Sequence, residues 1–419
     1  MTLGYAKVGL GAVVADDGTR PAARAGGGRG PAPGPTILHI AEVVRGGTAT
    51  YLNALAAAQF AAFGPGRVHF LLPEIYRPDV APIPDRTLRT VPGPVRTLGA
   101  PWRYIGALRR AIRELRPDLI HAHGSFAGLY LRLYLLATSL SRRPRPRVVY
   151  CAHGWAFQRE GSRHKRRLYA LIERLLAGLS DASVSISRSE YEAALAVGLP
   201  RGRQHVVYNG LADLPQEPGP DAAPPDAGKP LALLFVGRLD RQKGIDILVS
   251  ALRLLPPERY RLYVAGAAVV PGEDITTRVG DHVPAGITFL GWQSPAELER
   301  LYAEIDAVIV PSRWEGFGYV AVEAMRAGKA VIASTAGALP EIVRDGQTGW
   351  LFDSGRPDEL ARILMREDAA SLADLGRNGR KRFLTDFTAD RMNQALIALY
   401  HDLLAPSGQA APLSSPAAG

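Results

Sequence analysis

The feature that most constrains this chain is an alternation of short β-branched runs with longer amphipathic stretches, and it occurs twice along the sequence. Such a pattern suits a parallel sheet covered by helices rather than a sandwich or a bundle. In the first series the strand candidates are Thr36 to Ile40, Arg67 to Leu72, Asp118 to Ala122, Arg147 to Ala152, Ala182 to Ile186 and His205 to Tyr208. Between them, Trp102, Ile105, Leu108, Ile112 and Leu115 recur at spacings of three or four, which predicts a helix over Trp102 to Arg116. Residues 36–213 therefore read as one doubly wound domain.

Residues 214–230 are dense in Pro, Asp, Ala and Gly, lack apolar periodicity and read as a linker. The second series then gives strands Leu231 to Val236, Arg261 to Ala265, Ile287 to Leu290, Ala307 to Val310 and Ala330 to Ala333, with helices Ile245 to Leu255, Pro295 to Ile305 and Tyr319 to Ala327. A second Rossmann-like domain is expected over 231–385. A helix over 386–404 is expected to cross back towards the first domain. The small, polar segments 1–35 and 405–419 read as a flexible leader and a disordered tail. A length of 419 residues with 47 % hydrophobic content supports two such cores.

One cysteine, Cys151, excludes an intramolecular disulfide and a cysteine-rich zinc site, which points to a reducing compartment. The start of the chain lacks a signal-peptide pattern, so the expectation is cytoplasmic. The most apolar stretch, Leu129 to Leu140, carries Arg132 and falls short of the roughly 20 residues that span a bilayer. Net charge is +10, divided unevenly: residues 1–212 hold 29 Lys+Arg against 13 Asp+Glu, or +16, leaving 21 against 27, or −6, for the rest. A basic first half favours an anionic partner, whether phosphorylated substrate, membrane surface or nucleic acid. Six lysines against 44 arginines also fit a chain in which Arg simply replaces Lys.

Ligands of open parallel sheets bind beyond the carboxyl ends of the strands, so the loops there are where chemistry is expected. Strand Ala307 to Val310 runs through Pro311, Ser312, Arg313 and Trp314 into Glu315, Gly316, Phe317 and Gly318 and then a helix carrying Glu323. The glycines would place unpaired backbone N–H groups at a helix N-terminus, where phosphate or hydroxyl oxygens are attracted. They would also free Glu315 to turn towards the ligand of Glu323. Carboxylates suit sugars because each accepts several hydroxyl hydrogen bonds. Where strand Leu231 to Val236 ends and a helix begins, Gly237 permits close backbone approach, while Arg238 and Lys243 supply a planar fork and a point charge suited to a diphosphate. Taken separately, the two glutamates also read as surface residues and the basic segment as an exposed turn.

The ordered set is more specific. It comprises Gly237-Arg238-Leu239 with Lys243-Gly244, and Pro311-Ser312 followed by Glu315-Gly316-Phe317-Gly318. Further on come Glu323-Ala324-Met325 with Gly328, and Gly337-Ala338-Leu339-Pro340-Glu341-Ile342-Val343 followed by Asp345-Gly346 and Gly349. Over these residues the chain resembles the family 4 retaining glycosyltransferases (glycosyl transferases group 1) of the GT-B fold, α/β enzymes with two Rossmann-like domains facing across a cleft. The resemblance implies that Arg238 and Lys243 bind the diphosphate of a nucleotide sugar and stabilise it as the leaving group. Glu323 would hold the ribose, and Glu315 with the backbone of Gly316, Phe317 and Gly318 the transferred hexose. In the first half, Gly46 and Gly47 resemble the glycine pair near the donor phosphate, although a Gly-Gly turn is also an ordinary helix start. His153-Gly154 matches the family's active-site pair, whose imidazole contacts the donor sugar or its phosphate. For His121 and His123, wall or capping roles are favoured over catalysis.

No D-x-D triplet occurs, so no metal and no other cofactor is expected beside the nucleotide-sugar donor. Two departures from the family stand out: Gly266-Ala267-Ala268 lacks a second glycine, and after Tyr208-Asn209-Gly210 the acid falls one place late, at Asp213. The acceptor is expected to be a glycan, a lipid-linked sugar or a small molecule, in cell-surface polysaccharide or glycoconjugate synthesis. Basic clusters on the Trp102 helix and over Arg163 to Arg167 suggest peripheral contact with an anionic membrane, at the inner face of the cytoplasmic membrane. The alternatives are an epimerase or hydrolase of nucleotide sugars on the same fold, and a non-catalytic sugar- or nucleic-acid-binding protein. Two glutamates at the cleft argue against nucleic acid.

Overall fold

The computed structural model describes residues 34–95, 97–139, 145–158, 161–214, 229–268 and 283–405. The proposed leader, linker and tail fall almost wholly outside these residues.

The first half builds a seven-stranded sheet from β1 (Ile37–Ala41), β2 (Val68–Pro73), β3 (Leu88–Val91), β4 (Leu119–His123), β5 (Arg147–Cys151), β6 (Ala182–Ser185) and β7 (Gln204–Val206). Their order is β3-β2-β1-β4-β5-β6-β7, and every neighbouring pair is parallel. The second half builds a six-stranded sheet from β8 (Leu231–Val236), β9 (Tyr260–Ala265), β10 (Ile287–Gly291), β11 (Ala307–Val310), β12 (Ala330–Ser334) and β13 (Gly349–Phe352). Its order is β10-β9-β8-β11-β12-β13, again parallel throughout. Both are doubly wound sheets, and in each the direction of winding reverses once: between β1 and β4, and between β8 and β11. Strands β3 and β13 escape the reading of the sequence: β3 carries Arg89 and Thr90 at its centre and β13 begins on Gly349 of a turn-rich run, so neither shows a plain apolar run.

The helices of the first half are α1 (Gly47–Phe63), α2 (Ala100–Leu115), α3 (Ser125–Ala137), α4 (Arg163–Leu176) and α5 (Arg188–Ala196). Alternation along the strands sorts them. Leu38, Ile40, Ile120, Ala122, Val148 and Tyr150 pack on the face covered by α2 and α3. Ile37, Leu119 and Val149 pack on the other face, with Tyr51, Leu52 and Leu55 of α1. The second half carries α6 (Ile245–Leu252), α7 (Pro295–Glu304), α8 (Tyr319–Arg326), the short α9 (Leu339–Ile342), α10 (Pro357–Arg366) and α11 (Ala369–Asp386).

The last helix, α12 (Ala389–Leu404), leaves the second half and lies against α1. At the crossing, Leu211 N–H donates to Phe387 O and Ala389 N–H to Leu211 O, at 2.9 and 2.8 Å. Gly210 is needed here, since a Cβ would lie 2.2 Å from Thr388 O. Asp213, the displaced acid, takes a two-pronged ion pair from Arg380 at 2.6 and 2.8 Å. The largest apolar cluster consequently runs through both halves, from Ile37 and Phe70 to Phe317 and Val322.

Arg132, in the apolar stretch that the sequence marks out, lies on α3 and is 1 % exposed. Its guanidinium donates to Glu173 of α4 at 2.7 Å and sits 4.2 Å from the centre of the Tyr150 ring, and the Tyr150 hydroxyl donates to the same carboxylate. Among the described residues no helix is long and apolar enough to cross a membrane. Removing one member of a buried pair strands the other charge, so Glu173→Ala is expected to cost about 3–5 kcal/mol. Thermal unfolding of that variant beside a Glu173→Leu, Arg132→Met double variant reads this, the double variant losing less.

Candidate active site

Four turns at strand ends converge. After β8 the backbone passes through Gly237, whose N–H donates to Ala265 O, and reaches Gly244 before α6. Gly244 adopts φ +69°, and a Cβ there would lie 2.0 Å from Pro311 O, so only glycine lets this turn press against the loop after β11. That approach delivers Lys243 to Glu315, with Nζ 2.6 Å from Oε2, while Ser312 Oγ donates to the same oxygen at 3.2 Å. The pair is mostly shielded, with the side chains 19 % and 11 % exposed. The cation expected to hold a diphosphate and the carboxylate expected to hold a sugar are thus one unit.

Arg238 lies on the outer side of this unit and is turned towards its own loop. Its Nε is 2.9 Å from Asp240 Oδ2, and its NH2 donates to Gln242 Oε1 at 2.6 Å. Asp240 in turn accepts from Lys243 N–H, and Gln242 donates to Trp314 O, so the two loops are stitched together. At the departure from the family pattern, Leu239 N–H donates to Ala267 O; residues 269–282 lie outside the described ones.

Gly316, Phe317 and Gly318 lead into α8. Phe317 is buried against Tyr208, Tyr319 and Phe387, so its side chain belongs to the packing between halves and only its backbone remains for a ligand. Glu323, one turn into α8, is half-buried and accepts from the Tyr302 hydroxyl at 3.0 Å. Burial raises its pKa above the ordinary carboxyl value, opposed by the Tyr302 bond and by the Arg326 and Lys243 charges.

The first half meets these loops through its glycines. Gly47 opens α1 so close to Tyr319 that a Cβ would lie 3.1 Å from that ring, while Gly46 before it, at φ +53°, faces open space. A Cβ on Gly316 would lie 3.8 Å from the Gly154 Cα and 3.6 Å from Glu190 Oε1. His153, beside Gly154, takes the left-handed φ of +50°, rare for a residue with a Cβ and frequent at functional sites. Tyr51 of α1 meets its ring edge-on at 4.7 Å. Burial lowers the His153 pKa to about 4, so the imidazole is neutral at pH 7. Gly46, Gly47, His153, Lys243, Glu315, Gly316 and Glu323 therefore come together at the reversal points of both sheets.

Several residues beside this site take parts that the sequence alone does not assign. Glu190 is 2 % exposed, and burial pushes its pKa up to about 8; Oε2 accepts from Ile186 N–H, while Oε1 faces the Gly154 backbone. The spacing Ser187-x-x-Glu190 is the one hint, that of a helix start. Glu341 of α9 reaches the N-terminus of α5, its two oxygens accepting from Arg188 N–H at 2.7 Å and Ser189 N–H at 2.6 Å, with Tyr208 OH donating at 2.9 Å. His39, His121 and His123 of β1 and β4 each bring one ring nitrogen within 4.8 Å of the other two, the one group of this kind among the described residues. A small open pocket lies past the carboxyl ends of β1, β2 and β3, lined by Glu42, Pro73, Val91, Arg103, Tyr104 and Tyr130.

Comparison with known proteins agrees with this geometry. Residues 46–210 match the model of a glycosyl transferase 4-like domain, and residues 221–382 that of glycosyl transferases group 1. An uncharacterized 41.2 kDa protein in the cps region of Klebsiella pneumoniae is 30 % identical over 332 residues, 78 % of this chain and 88 % of that one. Alpha-maltose-1-phosphate synthase of Mycolicibacterium smegmatis is 26 % identical over 77 % of this chain and 87 % of its own. In fold, HepE of Anabaena in complex with UDP-glucose superposes with a TM-score of 0.70 at 22 % identity, covering 87 % of this chain and 99 % of that one. Sucrose-phosphate synthase of Thermosynechococcus elongatus also gives 0.70, at 23 % identity over 88 % and 99 %. With both halves matched and a relative aligned over most of both chains, this chain belongs to the group 1 glycosyltransferases and has their GT-B fold.

Proposed function

We propose that the protein is a retaining, metal-independent hexosyltransferase that takes a nucleotide-diphosphate sugar as donor and acts in cell-surface polysaccharide or glycoconjugate synthesis. The observation that carries this is the Lys243–Glu315 pair, held at the start of α8 opposite Gly46, Gly47 and His153. When a donor enters, its diphosphate competes with Glu315 for Lys243. The ammonium then stabilises the negative charge that develops on the leaving diphosphate, with Arg238 swinging from Asp240 to add a second cation. The released Glu315 carboxylate accepts hydroxyls of the transferred hexose, as does the Glu323 carboxylate from the ribose. Two cations do here what a metal ion does where D-x-D motifs bridge the diphosphate, and departure on the face from which the acceptor attacks gives retention. The UDP-glucose bound in the Anabaena neighbour and the cps location of the Klebsiella relative support the donor and the pathway class.

The outer surface of the first half suits a lipid-linked acceptor. On α4, Leu168, Tyr169, Leu171 and Leu175 are 41–73 % exposed, next to Arg163, Lys165, Arg166 and Arg167. On α2, Trp102 is 76 % exposed, and Arg109, Arg110 and Arg113 share the helix. Apolar side chains beside cations fit an anionic bilayer surface from the cytoplasmic side.

Three outcomes are expected. Incubation with UDP- and GDP-sugars and candidate glycan or lipid-linked acceptors releases nucleotide diphosphate in an acceptor-dependent, EDTA-insensitive way; conversion of the donor to an isomer without acceptor would identify an epimerase instead. Lys243→Ala, Arg238→Ala and Glu323→Ala each lower turnover at least about tenfold, or about 1.4 kcal/mol, with the fold intact by circular dichroism. The protein co-sediments with anionic vesicles at low salt and less so at high salt, and indifference to vesicles at low salt removes the membrane from the reading.

Glu190 adds a pH dependence. Below pH 4.5 both folded and unfolded chains hold its proton. Between 4.5 and about 8 the unfolded chain releases it while the folded chain keeps it, so this group's contribution to stability is lost as pH rises across that window. Glu190→Gln is therefore expected to raise the melting temperature relative to the native chain at pH 8, and not at pH 4.5.

A further inference from the structure

Gln59 of α1 is fully buried, and its amide joins two runs of polar groups. Its Oε1 lies 2.7 Å from His39 Nε2, and its Nε2 donates to the Tyr400 hydroxyl of α12 at 3.3 Å. His39 Nδ1 lies 3.0 Å from His123 Nε2, and His123 Nδ1 lies 3.1 Å from His153 Nε2. On the other run, Tyr400 OH lies 2.5 Å from His121 Nδ1.

With the Gln59 amide placed so that Oε1 meets His39 and Nε2 meets Tyr400, the direction of every proton follows. A carbonyl oxygen only accepts, so His39 carries its hydrogen on Nε2. Burial holds His39 and His123 below their ordinary pKa, so each is neutral with a single N–H. His39 Nδ1 is then a bare acceptor and takes the hydrogen of His123 Nε2. His123 Nδ1 is bare in turn and takes the hydrogen of His153 Nε2. The remaining nitrogen of His153, Nδ1, is left with a lone pair, and among the described residues nothing engages it.

We propose that Gln59, acting through His39 and His123, is a positioning residue that fixes His153 as its Nε2–H tautomer, so that Nδ1 faces the donor as a hydrogen-bond acceptor. This rests on the reading of His153 as a donor-facing residue. A lone pair repels phosphate oxygens and carboxylates, so the group that meets His153 is a hydroxyl of the sugar and not the diphosphate. Donors bearing a hydroxyl at that position are bound, and those carrying an acidic group there are refused.

A metal ion held by His39, His121 and His123 would demand the opposite arrangement. It would take the lone pairs of His39 Nδ1 and His123 Nε2, force the His123 hydrogen onto Nδ1, and turn His153 into the Nδ1–H tautomer. The two states differ in one measurable quantity. In the full-length, ligand-free protein labelled with 15N-histidine, a long-range proton–nitrogen correlation distinguishes the protonated ring nitrogen from the bare one, and His153 is assigned by its loss in His153→Asn. The expected result is a single Nε2–H tautomer at His153, retained in Gln59→Glu, whose carboxylate also accepts, and replaced by averaged shifts in Gln59→Leu. An Nδ1–H tautomer in the native chain, or a tautomer unchanged in a folded Gln59→Leu, overturns the proposal; the native measurement decides alone if that variant does not fold. Because no substrate is present, the outcome is independent of glycosyl transfer. A chain with the expected tautomer but no donor turnover would sink the functional reading and leave the relay standing.

Discussion

Everything at this site depends on how closely two separately wound sheets can be brought together, and that closeness is set by positions that lack a side chain. Gly47 meets Tyr319 and Gly210 meets Thr388 O at separations that would leave a Cβ 3.1 and 2.2 Å from its neighbour, while Gly316 packs in ordinary contact beside Gly154. Backbone contact of this kind holds only if the halves are also tied. The tie is Glu341, whose carboxylate takes the two leading N–H groups of α5 from across the junction. A charged acceptor at a helix N-terminus gains from both the unpaired donors and the helix dipole. The crossing of α12 onto α1 adds apolar area to the same join, which is why one apolar cluster includes strands of both sheets.

Within that frame the site is charged on one side and neutral on the other. The second half contributes Lys243, Arg238, Glu315 and Glu323, all linked to partners in the ligand-free chain. The first half contributes histidines whose charge burial removes. Because Lys243 and Glu315 are paired, neither is a buried charge left alone in the ligand-free chain.

Much of this was legible in the sequence because it is written locally. The strands that lead into Gly46, His153, Gly237 and Glu315 are apolar runs ended by turn residues, and the glycines mark where backbone must approach backbone. The edge strands β3 and β13 were not legible, since Arg89 and Thr90 interrupt the one and Gly349 opens the other. Glu190 and Gln59, and the contact that Glu341 makes with α5, show a different limit. Each is a polar residue on a helix, of the kind that ordinarily faces water. Their burial follows from which helix covers which face, and Gln59 is buried because α12 returns from the far end of the chain to lie over it. The carboxylate pair read as two sugar-holding groups is also finer in the structure than in the sequence, with Glu315 on Lys243 and Glu323 on Tyr302.

The return of α12 also explains why a polar relay is tolerable in the core of the first half. His39, His121 and His123 lie on the sheet face that α1 and α12 cover, with no exposed surface. Buried polar groups of this sort destabilise unless each finds a partner, and the partners come from both covering helices: Gln59 from α1 and Tyr400 from α12. His121 Nε2 alone is left without one. The network therefore forms only when the chain's last helix has docked, and docking requires the crossing past Gly210. The same event that closes the two halves thus completes the array that orients His153, whose strained backbone, at φ +50°, is held between Tyr51 and the loop of Gly316. Joining the halves and orienting the histidine are one step, and a change at the Gly210 crossing would reach the active site through Tyr400 and Gln59 without touching a ligand.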